Sequence, residues 1–276
     1  MLETIEGNLY DYPKYYDLVY GSDWRAEFDF LRACFEKHAA IPVRRVFEPA
    51  CGTGRLLVKL AGAGYDVSGL DLNPQAVEYC NRRLERNGFA PTAVVGDMAD
   101  FRWRRRVDAA FDMINSFRHL ATEEQAQNHL RCVARALRTG GLYVLGLHLT
   151  PTTVEPMQEE SWSARRGNLA VLSKLWVVRC DRRRRRESVE TSFDVYTPTR
   201  QFRIVDRIDF RTYSSRQLAA LLEKVGEFEI TAVYDFGYDI HHPIEIGPES
   251  EDVVYVLRKL PGGRPSQTLP SRRESA

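Results

Sequence analysis

Three carboxylates close short apolar runs in this chain. Glu48 follows Val46-Phe47, Asp71 ends Tyr65-Asp-Val-Ser-Gly-Leu-Asp71, and Asp97 ends Thr92-Ala-Val-Val-Gly-Asp97. Asn115 and His148 end two further runs of the same kind. Acids at successive strand ends repel a polyphosphate and favour a ligand that is cationic or rich in hydroxyls. Asp71 can accept hydrogen bonds from a ribose diol and Asp97 from an adenine amino group, while Glu48 faces the place of an ammonium or sulfonium.

Beside Glu48 lies a glycine turn, Ala50-Cys-Gly52-Thr-Gly54, followed by Arg55 and the apolar run Leu56-Leu57-Val58. Small residues between a strand and a helix let a ligand approach the backbone, and the first helical amides point towards it. This is not a complete dinucleotide fingerprint, because Leu57 stands where a third glycine would fall. Nor is there a Gly-x4-Gly-Lys-Ser/Thr segment for a nucleoside triphosphate.

The elements that must hold these residues alternate along the first half of the chain. Ser22-Asp23 read as the cap of a helix whose Trp24, Phe28, Leu31 and Phe35 share one face. Strands are expected at 43–47, 65–71, 92–97, 107–114 and 142–148. Helices are expected at 55–63, from Asn73-Pro74 to Arg86, and from a Thr122 cap to Leu137. Alternation with short links predicts a parallel sheet covered on both faces, with the ligand outside the carboxyl ends of its strands.

The pattern then changes. Ala170–Val178, Ser188–Tyr196 and Phe202–Phe210 alternate with period two, which predicts a small antiparallel sheet with one wet face, inserted over 151–212. A helix at 214–225, stopped by Gly226, and strands at 228–236 and 252–257 complete the core, which spans 41–150 and 213–259. Residues 1–40 form an N-terminal strap and helix, and the Pro-, Gly-, Ser- and Arg-rich segment 260–276 is expected to be a disordered tail. Five tyrosines in residues 9–20, among them Tyr12 and Tyr16, suit either a structural strap or a lid over a ligand.

Composition narrows the class. Thirty-nine basic against 38 acidic residues leave a net charge of +1, so no global field draws the chain to nucleic acid or an anionic membrane. The one loud basic run, Arg182–Arg186, is flanked by Asp181 and Glu187 and lacks interleaved aromatics, so it reads as a solvated hairpin loop. Five scattered cysteines without a Cys-x-x-Cys pair argue against a disulfide framework or a metal site, and suit a reducing, cytoplasmic setting. No leader and no apolar run long enough to span a membrane are expected.

Glu48-Pro-Ala-Cys-Gly-Thr-Gly54, Gly69-Leu-Asp-Leu-Asn-Pro74, Gly96-Asp-Met-Ala-Asp-Phe101 and Phe111-Asp-Met-Ile-Asn115 in this order resemble the class I S-adenosylmethionine-dependent methyltransferases. The likeness is to their small-molecule group, well over 43–150 and more loosely to 258. It implies a Rossmann-like, doubly wound, seven-stranded and mostly parallel α/β sheet, its last strand inserted antiparallel, with a β lid. It implies S-adenosyl-L-methionine as cofactor, held by Tyr16, Glu48, Ala50, Gly52, Gly54, Asp71, Leu72, Asp97, Met98, Asn115 and Phe117. The Phe210-Arg-Thr-Tyr-Ser214 segment resembles the lid of the same group, so Arg211 and Tyr213, with Tyr12 and Arg118, are candidates for touching the acceptor. For Arg211 and Tyr213 a tie between lid and core is the preferred alternative.

His148 and His119 are the candidate general bases, although methyl transfer needs a base only when the acceptor must lose a proton early. Asn115-Ser-Phe-Arg-His119 departs from the Asn/Asp-Pro-Pro-Tyr/Phe pattern of enzymes acting on bases or glutamine side chains, which points to a small-molecule acceptor, O-, N- or C-methylated, for a monomer or homodimer. A catalytically silent cofactor-binding regulator or scaffold, a nicotinamide dehydrogenase and an RNA methyltransferase are the competing readings.

Overall fold

A computed structural model describes residues 2–154 and 158–262. In chain order the elements are β1 (Glu3–Glu6), α1 (Pro13–Tyr20), α2 (Arg25–His38), β2 (Arg45–Pro49), α3 (Arg55–Gly62), β3 (Asp66–Asp71), α4 (Pro74–Arg86), β4 (Ala93–Val95) and β5 (Val107–Asp112). There follow α5 (Glu123–Ala136), β6 (Leu137–His148), β7 (Glu159–Arg166), β8 (Leu169–Asp181), β9 (Arg186–Tyr196), β10 (Gln201–Arg211), α6 (Ser215–Val225), β11 (Phe228–Tyr234) and β12 (Asp252–Lys259).

The main sheet has seven strands in the order β11-β12-β6-β5-β2-β3-β4. Its strands are parallel apart from β12, which lies antiparallel between β11 and β6. Strands buried on both faces are apolar along their buried run, which is why Val46-Phe47 and Ala109–Phe111 lack alternation. One face is sealed by Phe30 and Leu31 of α2, Leu56 and Leu57 of α3 and Cys80 and Leu84 of α4. The other is sealed by Leu130 and Val133 of α5 with Leu218, Leu221 and Leu222 of α6. The sheet is doubly wound, and the carboxyl ends of β2, β3, β4, β5 and β6 share one rim. Thr122 caps α5 as expected, in a reciprocal pair with Gln125. Ser22 and Asp23 do not cap α2; that helix begins at Arg25 behind Trp24, without a side-chain cap.

A second sheet, in the order β1-β10-β9-β8-β7, covers the rim. Its three long strands fall where alternation predicts them, and two edge strands join them. β7 reads Glu-Glu-Ser-Trp-Ser-Ala-Arg-Arg and β1 reads Glu-Thr-Ile-Glu, too polar to signal a strand alone. Val171, Phe193, Val195, Phe202 and Ile204 of this lid bury Leu9, Leu18 and Val19. The tyrosine-rich segment is therefore a helix, α1, wedged between lid and core, with Pro13 at its first turn.

The lid is clasped to the core by charge. Glu123 at the start of α5 accepts from Arg185 at 2.8 Å and Arg211 at 2.9 Å, and Arg118 donates to Glu187 at 2.6 Å. Arg185 also donates to the Thr212 carbonyl at 3.2 Å and lies 4.7 Å from the Tyr213 ring. At this residue the expected solvated loop is corrected: the arginine run supplies a clasp. Residues 263–276, most of the expected tail, lie outside the described residues.

Candidate active site

The glycine turn leaves β2 and crosses the end of β3. Cys51 donates its amide to the Leu70 carbonyl at 2.9 Å, and Gly52 donates to Asp71 Oδ2 at 2.7 Å. Asn73 donates to the other oxygen, Oδ1, at 2.8 Å. Asp71 thus fixes the turn and the entry to α4, and keeps a lone pair on each oxygen for a ligand. The Gly52 amide is spent on Asp71, so it does not point at a ligand as the turn alone suggests.

The glycines have different reasons. Both hold left-handed backbone, Gly52 at φ 50° and Gly54 at φ 68°. Space within 4 Å of a Cβ on Gly52 is open, as a ligand cradle requires. A methyl on Gly54 would instead overlap Cys80 Sγ of α4, so Gly54 serves helix packing. Gly54→Ala is expected to lower unfolding free energy by about 2–4 kcal/mol from backbone strain plus overlap. Urea denaturation checks this. The further change Cys80→Ala should restore part of the loss, and no rescue would refute the packing argument.

Two buried carboxylates face the rim with an oxygen lacking any partner: Glu48 Oε2 and Asp112 Oδ2. Burial pushes Glu48 well above the usual carboxylate range, and Arg55 opposes this only partly because it is paired with Glu27. Burial likewise raises Asp112 to about 7, against donation from Ser116 and the Phe117 amide. Orphaned buried acids are costly, and a cation seated between them removes the cost. Asp112 was passed over in the sequence. Its position at the end of its strand, two strand places from Asp71, was the available signal.

Further along the rim Asp97 is exposed and accepts from the Ala99 amide at 2.7 Å. The Met98 carbonyl lies 3.0 Å from His129 Nδ1, which must therefore donate, leaving Nε2 to accept from the Tyr143 hydroxyl at 2.8 Å. Burial lowers His129 to about 4 and keeps it neutral, as this tautomer requires. Leu72 and Ile114 are large apolar side chains left 72% and 46% exposed at this edge, where an aromatic base would cover them. Ile114 and His129 were not among the residues singled out from the sequence.

Asn115 is a non-glycine residue in the left-handed region, φ 59°. Its side chain accepts from the His148 amide at 2.8 Å, and its carbonyl accepts from the Arg118 amide at 2.9 Å. Ala50 shares this conformation at φ 59°. Non-glycine residues held there cluster at functional sites.

Tyr10, just ahead of α1, and Tyr16 and Tyr20 of α1 form a file with ring centroids 5.4 and 4.8 Å apart. Tyr16 is half-buried, desolvation raises its hydroxyl, and it senses Arg55, Asp71 and Asp112 across the rim. The Tyr10 hydroxyl meets His119 Nε2 at 3.0 Å, and burial lowers His119 to about 4. Asp17 anchors the helix: buried, it accepts from Thr53 Oγ1 of the glycine turn at 3.2 Å and from Tyr79 at 3.1 Å, and pairs with Arg83.

Several expected site residues are engaged elsewhere. Arg118 and Arg211 serve the lid clasp, which for Arg211 is the tie between lid and core that the sequence also suggested. Tyr213, a candidate for the acceptor or for the lid tie, and Phe117, expected at the cofactor, are fully buried with ring centroids 5.5 Å apart. Tyr12 stacks on Tyr15 against the lid. His148 stands at the rim with Nδ1 2.5 Å from Asp252 Oδ1.

Residues 46–141 match the family described as methyltransferase domain. Among curated proteins, the dTDP-3-amino-3,4,6-trideoxy-alpha-D-glucopyranose N,N-dimethyltransferase of Streptomyces venezuelae is 30% identical over 140 residues, 49% of this chain and 56% of that protein. The dTDP-3-amino-3,6-dideoxy-alpha-D-glucopyranose N,N-dimethyltransferase of Streptomyces fradiae is 33% identical over 135 residues, 47% of this chain and 50% of its own length. The chain thus spans about half the length of the curated relatives it matches. In fold it is similar to a crystal structure of an S-adenosylmethionine-dependent methyltransferase from Clostridium acetobutylicum, with a TM-score of 0.73 at 18% identity, covering 92% of this chain and 100% of that one.

Proposed function

We propose that this chain, whose residues 46–141 match the methyltransferase-domain family and whose fold is similar to that of an S-adenosylmethionine-dependent methyltransferase, is a methyltransferase acting on a small-molecule acceptor. The observation that carries this reading is the pair of orphaned acids, Glu48 Oε2 and Asp112 Oδ2, beside an open glycine cradle. They suit the positive charges of the methyl donor. The donor supplies an electrophilic methyl on a sulfonium.

In this reading Asp71 takes the ribose hydroxyls with its remaining lone pairs, and Asp97 takes the adenine amino group. Leu72 and Ile114 cover the base, while Glu48 and Asp112 hold the methionyl ammonium end. Tyr16 closes the rim and helps keep water from the reacting centre. Little covalent help is needed, so positioning supplies most of the acceleration. The two curated relatives named as sugar N,N-dimethyltransferases make a sugar-like amine the leading acceptor. Among the described residues no helix is long and apolar enough to cross a membrane.

Calorimetry tests the cofactor. S-adenosylhomocysteine and S-adenosylmethionine should bind and NAD should not; binding of NAD alone would overturn the reading. The cationic donor should also release protons on binding, because a cation favours the ionised forms of Glu48 and Asp112. The product S-adenosylhomocysteine keeps the same ammonium, so its affinity relative to an analogue lacking the amine should rise with pH through about 7, where Asp112 ionises. A pH-independent ratio would remove the role given to the two acids.

A further inference from the structure

The lid ends on a strand that has a neighbour on one side only. β7 closes the order β1-β10-β9-β8-β7, and among the described residues no further strand lies against it. It is eight residues long, contains no proline and keeps an unbroken register with β8. The other sheet edges are short or covered: β1 has four residues and β4 three, and on β11 the Val233 carbonyl accepts from the Ile244 amide at 2.8 Å. A long bare edge is a template for another strand unless a device blunts it.

The ladder fixes which backbone groups this edge offers. The Val177 amide donates to the Gln158 carbonyl at 2.9 Å, and these two residues continue the register that sets Glu159 opposite Trp176. Hydrogen-bonded and non-bonded pairs alternate along an antiparallel ladder, so residues 160, 162, 164 and 166 spend their backbone groups on β8. Glu159, Ser161, Ser163 and Arg165 turn theirs outward, and all four are exposed. The hairpin turn agrees, because the two residues Gly167-Asn168 close on the pair Arg166–Leu169.

Along this edge the residues run Glu-Glu-Ser-Trp-Ser-Ala-Arg-Arg, acidic at the start and basic at the end, so an antiparallel copy of the strand sets acid against base. We infer that β7 is the surface through which two copies of this chain associate, their lids joining edge to edge into one continuous sheet about a two-fold axis at Trp162. Residues with outward backbone groups must face one another, which places Glu159 opposite Arg165 of the second copy, Ser161 opposite its Ser163, and Trp162 opposite its own image. A shift of two residues one way sets Glu159 opposite Gly167, whose left-handed backbone at φ 59° ends the strand; the other way it meets Ser163 and loses the ion pair. Arg165 spends Nε on the Gly167 carbonyl at 2.9 Å, which leaves its terminal nitrogens for Glu159. Trp162 is 37% exposed although its ring already lies edge-on to Tyr20 at 5.5 Å, and a second tryptophan covers the rest. Opposite charges and aromatic pairs across strands stabilise such a ladder, and the same charges ward off strands of other sequence.

Sedimentation equilibrium of the full chain tests this, with circular dichroism and thermal melting to show that each variant is folded. The parent chain should form a dimer within the range of ~1–100 μM. Ser163→Pro removes an outward amide that β8 does not use, at an edge position where proline is tolerated, and should weaken the dimer by ~10-fold or more. Glu159→Arg sets like charges opposite each other and should weaken it by a similar ~10-fold, while the double change Glu159→Arg with Arg165→Glu reverses the pair and should return the affinity to within ~3-fold of the parent. A chain that stays monomeric throughout overturns the inference. So does a dimer unmoved by Ser163→Pro or by Glu159→Arg, or a double variant that associates no better than Glu159→Arg alone.

Discussion

Asp71→Ala is expected to weaken S-adenosylhomocysteine binding by ~100-fold, about 2.7 kcal/mol. The size follows from the three tasks that meet on one carboxylate. It accepts the Gly52 amide at 2.7 Å and the Asn73 amide at 2.8 Å, and in the proposed complex it takes the ribose hydroxyls. Removing it leaves two backbone donors unpaired and frees the turn that shapes the cradle. Asp71→Asn, which keeps one acceptor oxygen, should fall between. Calorimetry with the product gives the answer. Retention of affinity within threefold in the alanine variant would show that the turn holds itself and that Asp71 does not touch the ligand.

Asp17→Ala should cost about 3–5 kcal/mol of unfolding free energy, since breaking a buried ion pair strands its partner. Asp17 is 1% exposed and gathers Thr53 from the turn, Tyr79 and Arg83 from α4, with Arg166 of the lid 4.0 Å away. Arg83 donates as well to the Thr53 carbonyl at 3.0 Å, so the turn is held twice through one guanidinium. For a chain of this size the loss corresponds to a melting temperature lower by about 10 °C. Cofactor affinity should drop with it, because Thr53 belongs to the cradle. Denaturant titration measures the first effect. A loss under 1 kcal/mol would mean that α1 merely lies against the core.

The doubly wound sheet was legible because its signals are local. Strand ends such as Leu70-Asp71, the Asn73-Pro74 and Thr122 helix starts and the Gly226 stop each act within a few residues, and β-strands buried on both faces must be apolar. The segments that escaped carry no such signal. β7 has two apolar residues in eight, and α1 draws its stability from Leu18 and Val19 lying under the lid. Propensity is silent where burial against a distant strand decides the conformation.

The amino-acid sequence by itself determined the order of elements and the acids at the strand ends, and through them the chemistry of a cofactor seat. Only the tertiary structure decided how each residue is used. Gly52 opens a cradle while Gly54 packs on Cys80; Arg211 and Arg118 clasp the lid; Asp112 stands orphaned beside Glu48; and His148 meets Asp252, 104 positions away. The reason is physical. Charge and hydrogen-bonding capacity belong to a residue type, but whether they are spent on the protein or kept for a ligand depends on which groups packing brings within about 3 Å.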